Sequence, residues 1–202
     1  MEPVFNLDLT DFLAKNNPII VELGCGLRNK KGVIGIDRLA LHGVDIIADM
    51  ENGLGFFPED SVNEIHSKSF FEHIENFENL MFEIWRVLKP DGKLFLYVPH
   101  FSNPYYFSDY THRRFFGLYS FEYFSQAQTR YSRKVPHFYT NFGFITCDLT
   151  LVFTSPWRTR RLFKRLLGRI VNSTPWSQEF YEENLCYLIP CYGIRAILKP
   201  EK

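Results

Sequence analysis

Ile19-Ile20-Val21-Glu22-Leu23-Gly24-Cys25-Gly26 is the stretch on which the fold turns: an apolar strand that runs straight into a loop with two glycines. A second short apolar run, Val33-Ile34-Gly35-Ile36, ends on Asp37, eleven residues beyond Gly26. A buried strand, a glycine loop and an acid at the tip of the next strand make the minimal layout of a nucleoside site. The glycines let backbone amides approach a ligand closely, and the acid accepts hydrogen bonds from a ribose diol.

Outward from that stretch, the first hundred residues alternate strands with connections. The strand candidates are Ile19–Leu23, Val33–Ile36, Val44–Ala48, Glu64–Ser67 and Lys93–Val98, continuous apolar runs of the kind buried on both faces of a parallel sheet. Phe70, Ile74, Phe77, Leu80, Met81, Ile84, Trp85 and Leu88 recur at three- and four-residue spacing, which predicts a helix from about Phe70 to Leu88. Lys89-Pro90-Asp91-Gly92 stops it. From His100 to Phe124 the periodicity breaks into polar-aromatic sequence, read as a long loop with a helical part near Tyr119–Ala127; such loops are usually functional. Beyond it come a strand over Phe144–Phe153, helices over Trp157–Val171 and Gln178–Leu188, and a closing strand over Tyr192–Leu198.

At 202 residues the chain is expected to be one domain, 1–202, with a cofactor half over about 18–100 and an acceptor side over 100–190. Apolar residues make up 46% and charged residues 23%, the balance of a compact globular chain. Lysine plus arginine equals aspartate plus glutamate at 23 each, so no overall field draws it to nucleic acid, and none is expected as a partner. Cys25, Cys147, Cys186 and Cys191 form no C-x-x-C pair, which disfavours zinc sites and disulfide frameworks and points to a reducing, cytoplasmic setting. The acidic start (Glu2, Asp8, Asp11) lacks the apolar run of a signal peptide, and nothing approaches a membrane span.

The details of the glycine loop select among nucleoside cofactors. A dinucleotide fingerprint needs a third glycine three residues after the second, where this chain has Asn29. It also needs a helix before the acid, to offer its N-terminus to a pyrophosphate. Gly26 to Asp37 is too short for that helix and a strand. S-adenosylmethionine has no phosphate and carries a zwitterionic tail that loop amides and carboxylates can satisfy. The spacing therefore favours S-adenosylmethionine over NAD.

At these residues the chain resembles the class I methyltransferases, in particular the type 11 group, over about Pro18 to Val98. Glu22-Leu23-Gly24-Cys25-Gly26 resembles the first motif of that family, and Asp37 stands where its ribose-binding acid closes the second strand. Asp49, in Ile46-Ile47-Ala48-Asp49-Met50, stands where an acid reaches the adenine amino group. Pro58-Glu59-Asp60-Ser61-Val62-Asn63-Glu64-Ile65, Phe71-Glu72-His73 and Arg86-Val87-Leu88-Lys89-Pro90-Asp91-Gly92 follow in family order, with Asn63 in place of the usual aspartate. The resemblance implies a Rossmann-like, mostly parallel seven-stranded α/β sheet with flanking helices and an antiparallel final strand. It implies S-adenosylmethionine as cofactor, held by Glu22, Gly24, Cys25, Gly26, Asp37, Arg38, Asp49, Met50, Ser67 and Lys68. Quinone-type O-methyltransferases bind a divalent metal through a comparable Glu-x-x-Glu-His; here Ser69 replaces the first acid, and no metal is expected.

The acceptor chemistry falls past the fifth strand, in His100-Phe101-Ser102-Asn103-Pro104 and Asp109-Tyr110-Thr111-His112-Arg113-Arg114. Methyl transfer to a hydroxyl needs an aligned nucleophile and a base, for which neutral histidine suits cytosolic pH. His100 ends a strand at the cofactor edge, and Asp109 has the spacing to orient His112, so His100, His112 and Asp109 are the expected catalytic residues. The competing reading has the histidines tie the loop to the sheet. This segment also resembles bacterial methyltransferases with a P-H-F-S-N-P and D-x-x-H-x-R-F-F pattern, whose acceptors are diverse. A small-molecule, glycan or lipid-linked hydroxyl acceptor is expected. Helix 157–170 has six cations, no acid and one apolar face, which suits peripheral contact with an anionic membrane. More often such a helix packs its apolar face on the sheet. The alternatives for the whole chain are a non-catalytic donor-binding scaffold and, less favoured, a nicotinamide dehydrogenase.

Overall fold

The computed structural model describes residues 2–15, 18–27 and 30–202. In chain order the elements are β1 (Val4–Phe5), α1 (Leu9–Lys15), β2 (Ile20–Leu23), β3 (Ile34–Asp37), β4 (Ile46–Ile47), β5 (Val62–Lys68), α2 (Phe77–Val87), β6 (Leu88–Pro99), β7 (Gly143–Val152), α3 (Arg158–Val171), α4 (Pro175–Asn184) and β8 (Gly193–Glu201). They build one eight-stranded sheet in the order β1-β4-β3-β2-β5-β6-β8-β7. The run β4-β3-β2-β5-β6 is parallel, and β8 enters antiparallel between β6 and β7. This is the expected Rossmann-like α/β sheet with an antiparallel final strand. It has one strand more than the expected seven, because Val4–Phe5 adds to the edge of β4.

The apolar runs form strands because both faces of each residue pair find cover: Val21, Leu23, Ile34, Ile36, Ile46, Ile65, Leu94 and Val98 are all buried. Each such side chain taken from water contributes roughly 1.5–3 kcal/mol. Asn63 fixes the strand entry, its Oδ1 accepting from the Ile19 amide at 2.9 Å and from Lys89 Nζ at 3.0 Å, so aspartate's usual place here is structural. Arg86 donates to the carbonyls of Phe57 and Leu54 and to Glu83, pinning the approach to β5 against α2.

Three expected elements are corrected. The helix predicted from Phe70 is a single 3-10 turn, Phe71–His73, a break, and α2 from Phe77. The amides of Glu75 and Asn76 bond to the Glu51 carboxylate, both at 3.1 Å, and the Glu72 carbonyl accepts from Arg113 and Arg114. Tertiary partners take the groups a longer helix would use. The helical part expected near Tyr119–Ala127 shrinks to a 3-10 turn at Glu122–Phe124. The helix expected over Gln178–Leu188 starts at Pro175, capped by Thr174 accepting from Ser177, and ends at Asn184.

Between Gly26 and β3 the described residues contain no helix, and Asn29 lies outside them. That face of the sheet is left open, a hollow of about 830 Å³ over Glu22, His66, Phe95, Tyr97 and Arg195. The opposite face carries α2 and the aromatic cluster of Phe116, Phe121, Phe124, Phe142 and Phe144.

Candidate active site

The chain turns at the end of β2 through Gly24 and Gly26, both in the left-handed region with φ of +64° and +57°. A Cβ on Gly24 would lie 2.7 Å from the Phe70 ring, so glycine is required there for space as well as for backbone angle. The loop closes on the tip of β3: Asp37 Oδ2 accepts from the Gly26 amide at 2.9 Å, and its Oδ1 from the Leu39 amide at 3.0 Å. Asp49, past β4, caps a 3-10 turn by accepting from the Glu51 amide at 3.1 Å. Both carboxylates keep lone pairs free for a ligand.

These tips surround a cavity of about 470 Å³, lined by Gly24, Asp37, Arg38, Asp49 and Met50 on one side and by Ser69, Phe70, His73, Thr111 and Arg113 on the other. Its volume is that of a small-ligand site. It lies at the carboxyl ends of the parallel strands, where open α/β sheets bind ligands. Glu22, Ser67 and Lys68 fall instead in the open hollow on the sheet face, which meets the cavity at Ser69. Glu22 is buried and paired with Lys30 at 3.1 Å. Ser67 is buried with no partner for its hydroxyl. Cys25 faces the sheet, 3.0 Å from where a Cβ on Gly35 would sit. Burial, with Asp37 nearby, pushes its thiol up to about 11, so it stays protonated.

The three expected catalytic residues separate. His100 is fully buried at the end of β6, Nε2 donating to Glu182 Oε2 at 3.0 Å and Nδ1 facing the Ser102 hydroxyl at 2.8 Å. Both nitrogens are occupied, and the residue ties the strand end to α4 away from the cavity. His112 and Asp109 flank Tyr110, Thr111 and Arg113, which line the cavity. His112 Nδ1 donates to the Tyr106 carbonyl at 2.9 Å, and its Nε2 lies 3.5 Å from Asp109 Oδ2. His112 meets His73 with ring centroids 5.0 Å apart. His73 Nδ1 bonds to the Thr111 hydroxyl at 2.9 Å, which in turn donates to Asp109 at 2.6 Å. The Thr111 bond holds the Asp109 carboxyl below its usual range, and burial holds His73 below the usual imidazole range.

Glu72 sits beneath this group, 2% exposed, with Oε2 lacking any hydrogen-bond partner; burial raises its carboxyl to about 7. The Phe71-Glu72-His73 turn and the Asp109–Arg114 loop were each visible in the sequence. Their meeting, through the Arg113 and Arg114 amides on the Glu72 carbonyl at 2.6 and 3.1 Å, was not. Nothing local signals contacts across 41 and 42 residues.

The family model described as a methyltransferase domain matches residues 22–96, from the glycine loop through most of β6. This stretch is similar to a methyltransferase domain. Solved structures similar to this chain include an S-adenosylmethionine-dependent methyltransferase from Archaeoglobus fulgidus, with TM-score 0.58 and 14% identity, covering 95% of this chain and 90% of that one. A Haloferax volcanii putative methyltransferase complexed with its Trm112 activator gives 0.53 and 14%, covering 96% and 88%. Phosphoethanolamine N-methyltransferase 2 of Haemonchus contortus, bound to S-adenosylmethionine, gives 0.52 and 15%, covering 96% of this chain but 52% of that one. At these identities the likenesses establish the fold. No curated protein matches. The loop and cavity fit S-adenosylmethionine: a left-handed turn in which Gly24 has no room for a side chain, two strand-tip acids, and an adjoining space beside the Glu22–Lys30 pair.

Proposed function

We propose that the chain methylates a hydroxyl of a small or conjugated acceptor, a sugar, ring or lipid-linked alcohol, in the cytoplasm. When bound, the donor supplies an electrophilic sulfonium methyl. In this reading Asp37 and Arg38 hold the ribose, Asp49 and Met50 the adenine, and the turn through Gly24, Cys25 and Gly26 lies under them. Ser67, Lys68 and Glu22 flank the amino-acid tail beyond Ser69. The observation that carries the reading is the pair of His73, which lines the donor cavity, and His112 beside it with ring centroids 5.0 Å apart, both with Nδ1 committed to loop oxygens. Each keeps Nε2 as a base, and Asp109 stabilises the imidazolium formed when His112 takes the acceptor proton. Calorimetry with S-adenosylmethionine tests the donor half; no heat at about millimolar donor overturns it. His112→Ala should leave donor affinity unchanged and lower turnover of labelled methyl into extract acceptors by about 10²- to 10⁴-fold.

A specific observation favours a lipid-linked acceptor. In α3, Lys164 reaches the Pro190 carbonyl at 2.5 Å, and Gly168 packs against Phe153. The inner face is thus made of Lys164, Leu167, Gly168 and Val171. Leu162, Phe163, Leu166 and Ile170 point outward beside Arg158, Arg161, Arg165 and Arg169. This inverts the expected packing of the helix on the sheet. No described helix is long and apolar enough to cross a membrane, but an outward apolar face flanked by arginines suits one that lies on an anionic surface. Because β7 ends beside Gly193, itself opposite Pro99, α3 departs from the same sheet edge as the acceptor loop. Flotation with anionic vesicles should carry the protein up, neutral vesicles should not, and Leu162→Ser/Phe163→Ser should abolish the effect.

A further inference from the structure

We propose that Glu72, His73 and His112 form a binding site for a divalent cation of the imidazole-preferring kind, zinc above all, at the rim of the donor cavity. One nitrogen of each imidazole and one oxygen of Glu72 lie within 4.8 Å of one another, the only such grouping of three histidine, cysteine or acidic side chains among the described residues. The site takes its parts from two segments, the turn after β5 and the loop after β6. It reaches two imidazoles and one carboxylate without the acid that Ser69 replaces in the Glu-x-x-Glu-His pattern. The third ligand comes instead from His112.

Three observations point to a ligand there. The first is the carboxylate: Glu72 is 98% buried, and its Oε2 has no donor near it. A buried charged oxygen without a partner is costly, and a cation repays that cost. The second is the orientation of the rings. His112 donates Nδ1–H to the Tyr106 carbonyl at 2.9 Å, and His73 donates Nδ1–H to Thr111, whose hydroxyl donates onward to Asp109. Each Nε2 then carries a lone pair, that of His112 lying 3.5 Å from Asp109 Oδ2, and metal-bound histidines are held by this same kind of second hydrogen bond. The third is rigidity: the loop carrying His112 is fastened to the Glu72 backbone by two amides, so the ligands are positioned before any cation arrives.

Two imidazoles and a carboxylate favour zinc, cobalt, nickel or iron over magnesium or calcium, which prefer all-oxygen shells. Three protein ligands leave a position open. Because His73 also lines the cavity, that position faces the donor, and it would hold the acceptor oxygen and lower its pKa. This last step rests on the proposed oxygen acceptor; the cation site does not.

The test is a titration of the full-length, chelator-treated protein with Co²⁺, read by visible absorption. One equivalent should raise a d–d band that Zn²⁺ displaces and Mg²⁺ does not. Glu72→Gln and His112→Gln should each weaken Co²⁺ binding by more than tenfold, Thr111→Val by about 10- to 100-fold, and His137→Gln, exposed and remote from the cluster, not at all. Melting without metal shows which variants fold; if Glu72→Gln does not, His112→Gln decides. No band, displacement by Mg²⁺ as readily as by Zn²⁺, or a band unchanged in His112→Gln overturns the site. Donor calorimetry on the same sample separates the two readings. Heat with no Co²⁺ band sinks the cation alone, and a band with no heat sinks the donor site alone.

Discussion

Gly24 is held by two independent constraints, a positive φ and the Phe70 ring at 2.7 Å from where a Cβ would go, whereas Gly26 has only its φ, with open space in front of it. Gly26→Ala should therefore cost about 1–2 kcal/mol of stability, the left-handed penalty alone. Gly24→Ala should cost more and also displace Phe70, a wall of the cavity. Urea unfolding and donor calorimetry on the two variants read this difference. A second residue-scale expectation concerns alkali. Burial raises Cys25 to about 11, Cys191 to about 12 and Tyr97 to about 12, each above its ordinary value of 9 or 10. The folded chain therefore holds protons that the unfolded chain releases first. This stabilisation is complete below about pH 9 and is lost as pH rises through 11 and 12. Denaturation midpoints measured from pH 8 to 11.5 should fall steadily, with no matching fall between pH 7 and 8.

Among the elements, α2 shows why sequence periodicity misplaced a boundary. The apolar stripe runs unbroken from Phe70 to Leu88, but the helix begins only at Phe77 because Glu51, more than twenty residues upstream, caps the Glu75 and Asn76 amides. A cap supplied from a distant turn has no local signature. Glu51→Ala should lower stability by about 1 kcal/mol, seen as a shifted melting midpoint with the m-value unchanged. The parallel strands, in contrast, were locatable from their Val/Ile/Leu runs, although β4 keeps only two of the five expected residues and β6 starts at Leu88 rather than Lys93. The direction of α3 was not readable. Its amphipathic pattern is the same whether the apolar face lies in or out, and the contacts of Gly168 and Lys164 decide which.

At the scale of the whole molecule, the parallel strands and the strand-end positions of Asp37 and Asp49 follow from the first hundred residues, while the arrangement of the loop after β6 does not. His100 and His112 look equivalent as sequence, each a histidine in an aromatic loop. The fold distinguishes them, burying one against Glu182 and setting the other beside His73. The asymmetry of the two sheet faces has the same origin. A connection too short for a helix leaves Phe95 and Tyr97 half-covered, while the aromatic loop fills the opposite face.

The two-residue β1 is the smallest piece of this sheet, yet Val4 and Phe5 pair with Ile47 and Ile46, and Asn6 bonds to the Val44 and Asp45 carbonyls. That short stitch stops β4 from presenting an unsatisfied ladder to a neighbouring molecule. It also steadies the strand that delivers Asp49. Trimming the first seven residues should therefore do two things at once: make the protein sediment as larger species at high concentration, and weaken the proposed S-adenosylmethionine binding read by calorimetry.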